Sequence, residues 1–158
     1  MLECFRGGTV VAHLASREKY EAIRELIQKA PVFDGIQERI AEAVIARERL
    51  LSTGLGRGVA VAHGTTDAAK GVIIALGISE AGVDYGAVDD APVHLLFVIA
   101  NPPGMQREYL LALAAVTRLL RDDSFRDSLR QETPLPDLEQ RICDAFSESL
   151  KNYLPATA

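Results

Sequence analysis

Cysteine is scarce in this sequence. Cys4 and Cys143 are the only two in 158 residues, and no C-x-x-C or Cys/His spacing frames a metal site. Two thiols so far apart fit a reducing compartment, and nothing in the sequence supports a disulfide between them. Basic charge is also short: 17 Lys and Arg stand against 22 Asp and Glu, a net charge of -5. A nucleic-acid binder would show a basic patch or stripe, and a membrane-surface protein a polybasic run; neither is present. No apolar stretch reaches the ~20 residues of a spanning helix. The start, "MLECFRGGTV", lacks the basic residues and long apolar run of a signal peptide. These absences lead to an expectation of a soluble, cytoplasmic protein without metal or cofactor, nucleic-acid partner or membrane insertion.

What remains is an ordinary globular composition, 48% hydrophobic and 25% charged. The length suits one domain over 1–158 that buries a sizeable core. "TVVAHL" (9–14) reads as a first strand. Ser16 is placed to cap a helix ending at Ala30, because Pro31 follows. Asp34 opens a second helix, with Gln37 in capping-box position and Ile36, Ile40, Val44 and Leu51 as its inner stripe. "GLGRG" (54–58) is a glycine-rich turn. The runs at 59–62, 72–78 and 93–100 are nearly continuous in apolar residues, as strands covered on both faces are.

"SEAGVDYGAVDDAP" reads as a loop with one helical turn. Helical periodicity returns from Gln106, with Leu110, Leu113, Thr117 and Leu120 on one side. A short helix carries Phe125 and Leu129, and a last one starts near Pro136 with Leu138, Ile142, Phe146, Leu150 and Tyr153 inward. The order β-α-α-β-β-β-α-α-α predicts an α/β fold with a central mixed sheet of about four to five strands and helices on both faces. The closeness of 59–62 to 72–78 suggests that these two runs pair antiparallel.

Three histidines are candidates for chemistry. His13 and His94 suit structural or surface roles, since an imidazole can pack and keep one hydrogen bond. His63 in "VAVAHGTT" ends an apolar run, where strand ends of α/β proteins meet solvent and ligands. Gly64 admits a backbone or an anion at close range, and Thr65 and Thr66 add N–H groups and hydroxyls. The residues alone leave a structural and a chemical role for His63 equally open.

Three segments, in order, carry a resemblance: "ARERLLSTGLGRGVAVAHG" (46–64), "APVHLLFVIANPPG" and "LLALAAVTRLLRDDSFRDSLRQ" (110–131). Together they resemble the IIA domain of the fructose/mannitol class of the bacterial phosphotransferase system, including its nitrogen-regulatory branch. The likeness covers about residues 9 to 150. It implies that His63 is the phosphorylated histidine and Arg47 the active-site arginine. Tyr109 falls where many members carry a second histidine, and Ala62 replaces their usual proline.

A neutral imidazole is a good phosphoryl acceptor, and the transfer asks chiefly for positioning and for cationic or N–H partners around the oxygens. Arg47 can offer a planar fork; the Tyr109 hydroxyl can donate a hydrogen bond but carries no positive charge at neutral pH. Arg57 reads as a rim residue touching a partner or solvent, Glu48 as a surface charge, and Asp67 as a candidate to orient His63. The implied partners are an HPr-type phosphocarrier and either a IIB domain or a regulated transporter or kinase. Three outputs stay open: a nitrogen-type regulator, a sugar-specific carrier, and a degenerate module that no longer takes phosphate.

Overall fold

The computed structural model describes Phe5 and residues 7–154. Its centre is a five-stranded sheet in the order β1-β4-β5-β3-β2. The strands are β1 (Val10–Val11), β2 (Gly54–Gly56), β3 (Val59–Thr65), β4 (Ile73–Val83) and β5 (Val93–Asn101). The helices are α1 (Lys19–Lys29), α2 (Gln37–Glu48), α3 (Gln106–Leu119), α4 (Asp123–Arg130) and α5 (Leu135–Leu150), with a 3-10 turn at Pro31–Phe33. β3 runs parallel to β5 and β1 to β4, while β4–β5 and β2–β3 are antiparallel. The mixed α/β sheet with helices on both faces is the expected one.

Alternation along the strands divides the core into two layers. Val59, Val61, Leu95, Phe97 and Ile99 face α3 and α5, which present Tyr109, Ala112, Val116, Ile142 and Phe146. Ala60, Ala62, Leu96, Val98 and Ala100 face α1 and α2, which present Ile23, Leu26, Ile40, Val44 and Ile45. Small side chains dominate the second face of β3, so α2 lies close against it. By the same parity His63 shares the face of Val59 and Val61, toward α3, and Gly64 shares that of Ala60 and Ala62, toward α2.

Several expectations need correction. β3 and β4 do not pair; β5 lies between them, antiparallel to β4. Its unbroken apolar run suits that central place, covered on both faces. The segment read as a loop with a helical turn instead continues β4 as far as Val83, and no helix follows before β5. The first strand is only Val10–Val11.

Ser16 does not cap α1: its N–H donates to Glu25 Oε1 (2.8 Å), and Glu18 caps instead, accepting from Glu21 N. α2 begins at Gln37, beyond the Asp34 side chain, which accepts from Gln37 Nε2 (3.3 Å) without capping the helix. Leu51 lies past the end of α2, off the helical period, and is 69% exposed. On α3 the periodicity is right; Leu120 is buried and Leu113 packs against the core, but the stripe is shifted at its start. Tyr109, Ala112, Ala115 and Val116 are buried, while Leu110 points outward, because two alanines allow the helix to lie close to the sheet. Tyr153 is exposed beyond α5.

The β2–β3 hairpin turns through Arg57 (φ 58) and Gly58 (φ 78), the left-handed pair of a two-residue turn. Cys4 lies outside the described residues; Cys143 is a half-buried thiol in α5.

Candidate functional site

His63 stands near the end of β3, opposite Ile99 of the parallel neighbour β5. Its ring is half-buried, and Nδ1 is fully covered with no partner in hydrogen-bonding geometry. Nε2 is therefore the nitrogen that reaches solvent. Burial and then the Arg47 guanidinium lower the pKa below the usual histidine range. The Val61 backbone and the Glu48 charge oppose them without reversing the result. At neutral pH the ring is an uncharged nucleophile.

Tyr109 supports the ring from α3. The two ring centroids are 5.2 Å apart at an interplanar angle of 38°. The tyrosine is buried, its hydroxyl has no hydrogen-bond partner among the described residues, and burial raises its pKa against the pull of Arg47. It stays a neutral donor. Arg47 comes from the last turn of α2, where one guanidinium nitrogen, Nη1, donates to the Leu51 carbonyl (3.2 Å). It makes no ion pair among the described residues, so its remaining N–H groups are available to an anion.

Gly64 has a mechanical role. A Cβ there would lie 2.7 Å from Val44 N and 2.8 Å from the Ala43 carbonyl carbon, so only glycine lets α2 come this close. Of the two approaches anticipated at this position, backbone or anion, the structure contains the backbone. Thr65 is exposed at the strand end. The Thr66 N–H is committed to the Asn101 carbonyl (3.0 Å), and Thr66 Oγ1 accepts from Ala68 N (3.2 Å). The "GTT" stretch thus has fewer groups free for an anion than its sequence promises.

Arg57 is not part of this cluster: it sits in the β2–β3 turn, at the opposite end of β3 from His63. Asp67 does not orient His63; it is exposed and paired with Arg39. Glu48 is no surface charge. Its side chain is 0% exposed, accepts from Thr53 N (2.9 Å), the Thr53 hydroxyl and Tyr85 OH (2.8 Å), and pairs with Lys19 Nζ (3.3 Å). This network anchors the end of α2 that carries Arg47, and sequence reasoning missed it. An acidic residue beside Arg47 with Ser-Thr-Gly shortly after was the available signal, since a buried carboxylate needs hydroxyl and amide partners.

A neutral imidazole, a guanidinium without an ion pair and a phenol, with no carboxylate hydrogen-bonded to the ring among the described residues, suit an anionic group better than proton abstraction. The fold is shared with the nitrogen regulatory protein IIA-Ntr of Neisseria meningitidis, at TM-score 0.77 and 25% identity, covering 88% of this chain and 93% of that one. The chain belongs to the family described as "Phosphoenolpyruvate-dependent sugar phosphotransferase system, EIIA 2", whose model matches residues 3–142. It is 33% identical over 122 residues to a nitrogen regulatory protein of Bradyrhizobium diazoefficiens, covering 77% of this chain and 80% of that protein. It is also 32% identical over 142 residues to the fructose-specific EIIABC component of Bacillus subtilis. That match covers 89% of this chain, which spans only 22% of the larger protein. Among the described residues, no helix is long and apolar enough to cross a membrane.

Proposed function

We propose that the chain is a cytoplasmic phosphocarrier that takes a phosphoryl group on His63 Nε2 from the phosphohistidine of an HPr-type protein. The observation that carries this reading is a neutral histidine with only Nε2 open to solvent, beside an arginine without an acidic partner among the described residues. The Nε2 lone pair attacks phosphorus as the donor's N–P bond breaks, and that bond's electron pair returns to the donor ring. Arg47 pairs with the non-bridging oxygens, and the Tyr109 hydroxyl donates to one of them. Both act through charge and position, which is most of what phosphoryl transfer requires of a protein. Leu50, Leu51 and Leu110 are 81%, 69% and 55% exposed on the segments that carry Arg47 and Tyr109. Such an apolar rim suits docking of a protein donor more than entry of a small molecule.

The output we favour is regulatory, with transporters or kinases bound according to the phosphorylation state of His63. The similarity to nitrogen regulatory proteins over most of their length supports it. A second reading, delivery of the phosphoryl group to a IIB domain for sugar uptake, is favoured by the fructose-specific relative, whose name joins A, B and C components. Replacement of the family's second histidine by Tyr109 is the feature that would fit a degenerate module.

The test is transfer from phosphoenolpyruvate through purified enzyme I and HPr to wild type and His63→Ala, read by intact mass and acid lability. An acid-labile phosphoryl group on wild type alone supports the carrier. No transfer from cognate donors to a folded wild type overturns it in favour of the binding module.

A further inference from the structure

The far end of the sheet from His63 holds a second concentration of charge that phosphoryl transfer does not use. A cleft of about 380 Å³ opens there between the β2–β3 turn, the start of β5 and α4. Three arginines line it, Arg57 from the turn and Arg126 and Arg130 from α4, with His94 beside them. Arg57 and Arg130 make no ion pair or side-chain hydrogen bond among the described residues. Arg126 is held in place by the Leu120 carbonyl (2.5 Å) and by Asp123, its side chain 12% exposed. The His94 ring is fixed through Nδ1 to the Ser79 carbonyl (2.8 Å). One carboxylate, Asp127, also lines the cleft, and Asp89 lies outside it, occupied with the backbone N–H groups of Arg57 (2.9 Å) and Ala91 (3.1 Å).

The backbone at Arg57 adds an independent observation. Its φ of 58 puts an arginine in the left-handed region, at a turn position where asparagine or glycine is the favoured choice. Among the described residues, its guanidinium makes no ion pair or hydrogen bond. Strained residues of this kind gather at ligand clamps. The Asp89 hydrogen bond to the Arg57 N–H holds the turn in this conformation.

We propose that this cleft binds a small phosphate-bearing anion, inorganic phosphate or a compact phosphate monoester. Guanidinium groups arriving from two separate elements match an oxyanion whose oxygens point in several directions, and planar forks are the strongest neutral-pH partners for phosphate. The volume is near the low end of small-molecule sites, large enough for a phosphorylated three-carbon compound and too small for a docked helix. The site does not depend on phosphorylation of His63, and it lies at the opposite end of the sheet from it.

The experiment titrates the whole chain with inorganic phosphate and, separately, glycerol 3-phosphate, following amide NMR signals at constant ionic strength set by chloride. Saturable shifts at Gly58 and Leu95 are expected in the wild type. Affinity at these signals should fall about tenfold in Arg57→Gly and in Arg130→Gln, the loss of one charge-assisted contact. Arg57→Gly suits the test because glycine accepts the positive φ, so the fold survives the change. Tighter binding of the ester identifies an organic ligand, and tighter binding of phosphate the inorganic ion. Non-saturating shifts, identical titrations in the variants, or a response confined to Gly64 and Thr65 would each overturn the site.

Discussion

The ring of Tyr109 lies 5.2 Å from that of His63, tilted by 38°, with its hydroxyl unpartnered among the described residues. An aromatic wall and a hydroxyl donor thus stand beside the His63 ring. Removing only the hydroxyl, in Tyr109→Phe, should leave the fold intact and slow phosphoryl acceptance by about tenfold, the worth of one hydrogen bond to the transferring group. Rapid-quench transfer from phosphorylated HPr measures it. A rate equal to wild type would show that the hydroxyl does not touch the phosphoryl group.

The pH dependence follows from the same ring. His63 titrates below 6.5 when folded and at about 6.5 when unfolded, because burial and Arg47 disfavour its charged form. As pH falls through 6.5 the unfolded chain gains a proton that the folded ring refuses, so the neutral ring's contribution to stability is present above 6.5 and declines below it. His63→Gln should flatten this part of a urea-stability profile taken between about pH 7.5 and 5.5. The His63 ring-proton signal should titrate below 6.5, and a midpoint at or above it would contradict the burial argument.

Gly64→Ala should be far more damaging than its size suggests. The new methyl would meet Val44 N at 2.7 Å and the Ala43 carbonyl carbon at 2.8 Å, and neither is the end of a flexible side chain. A loss of about 2–3 kcal/mol in denaturant unfolding is expected from such overpacking. Gly71→Ala, where nothing lies within 4 Å of the added carbon, should change stability by less than about 0.5 kcal/mol.

Glu48→Ala removes a carboxylate that is 0% exposed and leaves the Thr53 and Tyr85 hydroxyls and Lys19 without their common acceptor. A destabilisation of about 3 kcal/mol is expected. Lys19→Met should cost less, because Thr53 N and Tyr85 OH still satisfy Glu48. Equal losses in the two variants would show that the ion pair, and not the hydrogen bonds, holds the network.

Helices on both faces of the sheet were legible because the runs at 59–62 and 93–100 are apolar at nearly every position and the apolar residues of α5 recur at helical spacing. The strand order was not. Adjacency in sequence suggested a β3–β4 pair, whereas the central place went to β5, whose apolar run comes later in the chain. Capping failed at Ser16 and Asp34 because both helices start later than their spacing suggests: Glu18 is the N-cap residue of α1, and Ile36, with no side-chain cap, that of α2.

At the candidate site, family resemblance pointed to His63, Arg47 and Tyr109, and elementary properties of imidazole and guanidinium to the chemistry we propose for them. The burial of Glu48 and the separation of Arg57 depend on how distant segments meet, which neighbouring residues do not encode. Parity along β3 did contain one unread clue. Counting in twos from Val59 turns His63 toward α3, and with it toward Tyr109.

Gly64 lets the α2 backbone pack directly on β3, and the Glu48 network ties the end of α2 to Thr53, Tyr85 and Lys19. His63 stands on β3 and Arg47 on α2, the two elements that meet at Gly64. In the transfer we propose, the receiving half is thus assembled before any donor arrives. Adjustment at the encounter falls to the incoming protein and to the leucines at the rim, and the rate of exchange becomes a matter of docking rather than of rearrangement within this chain.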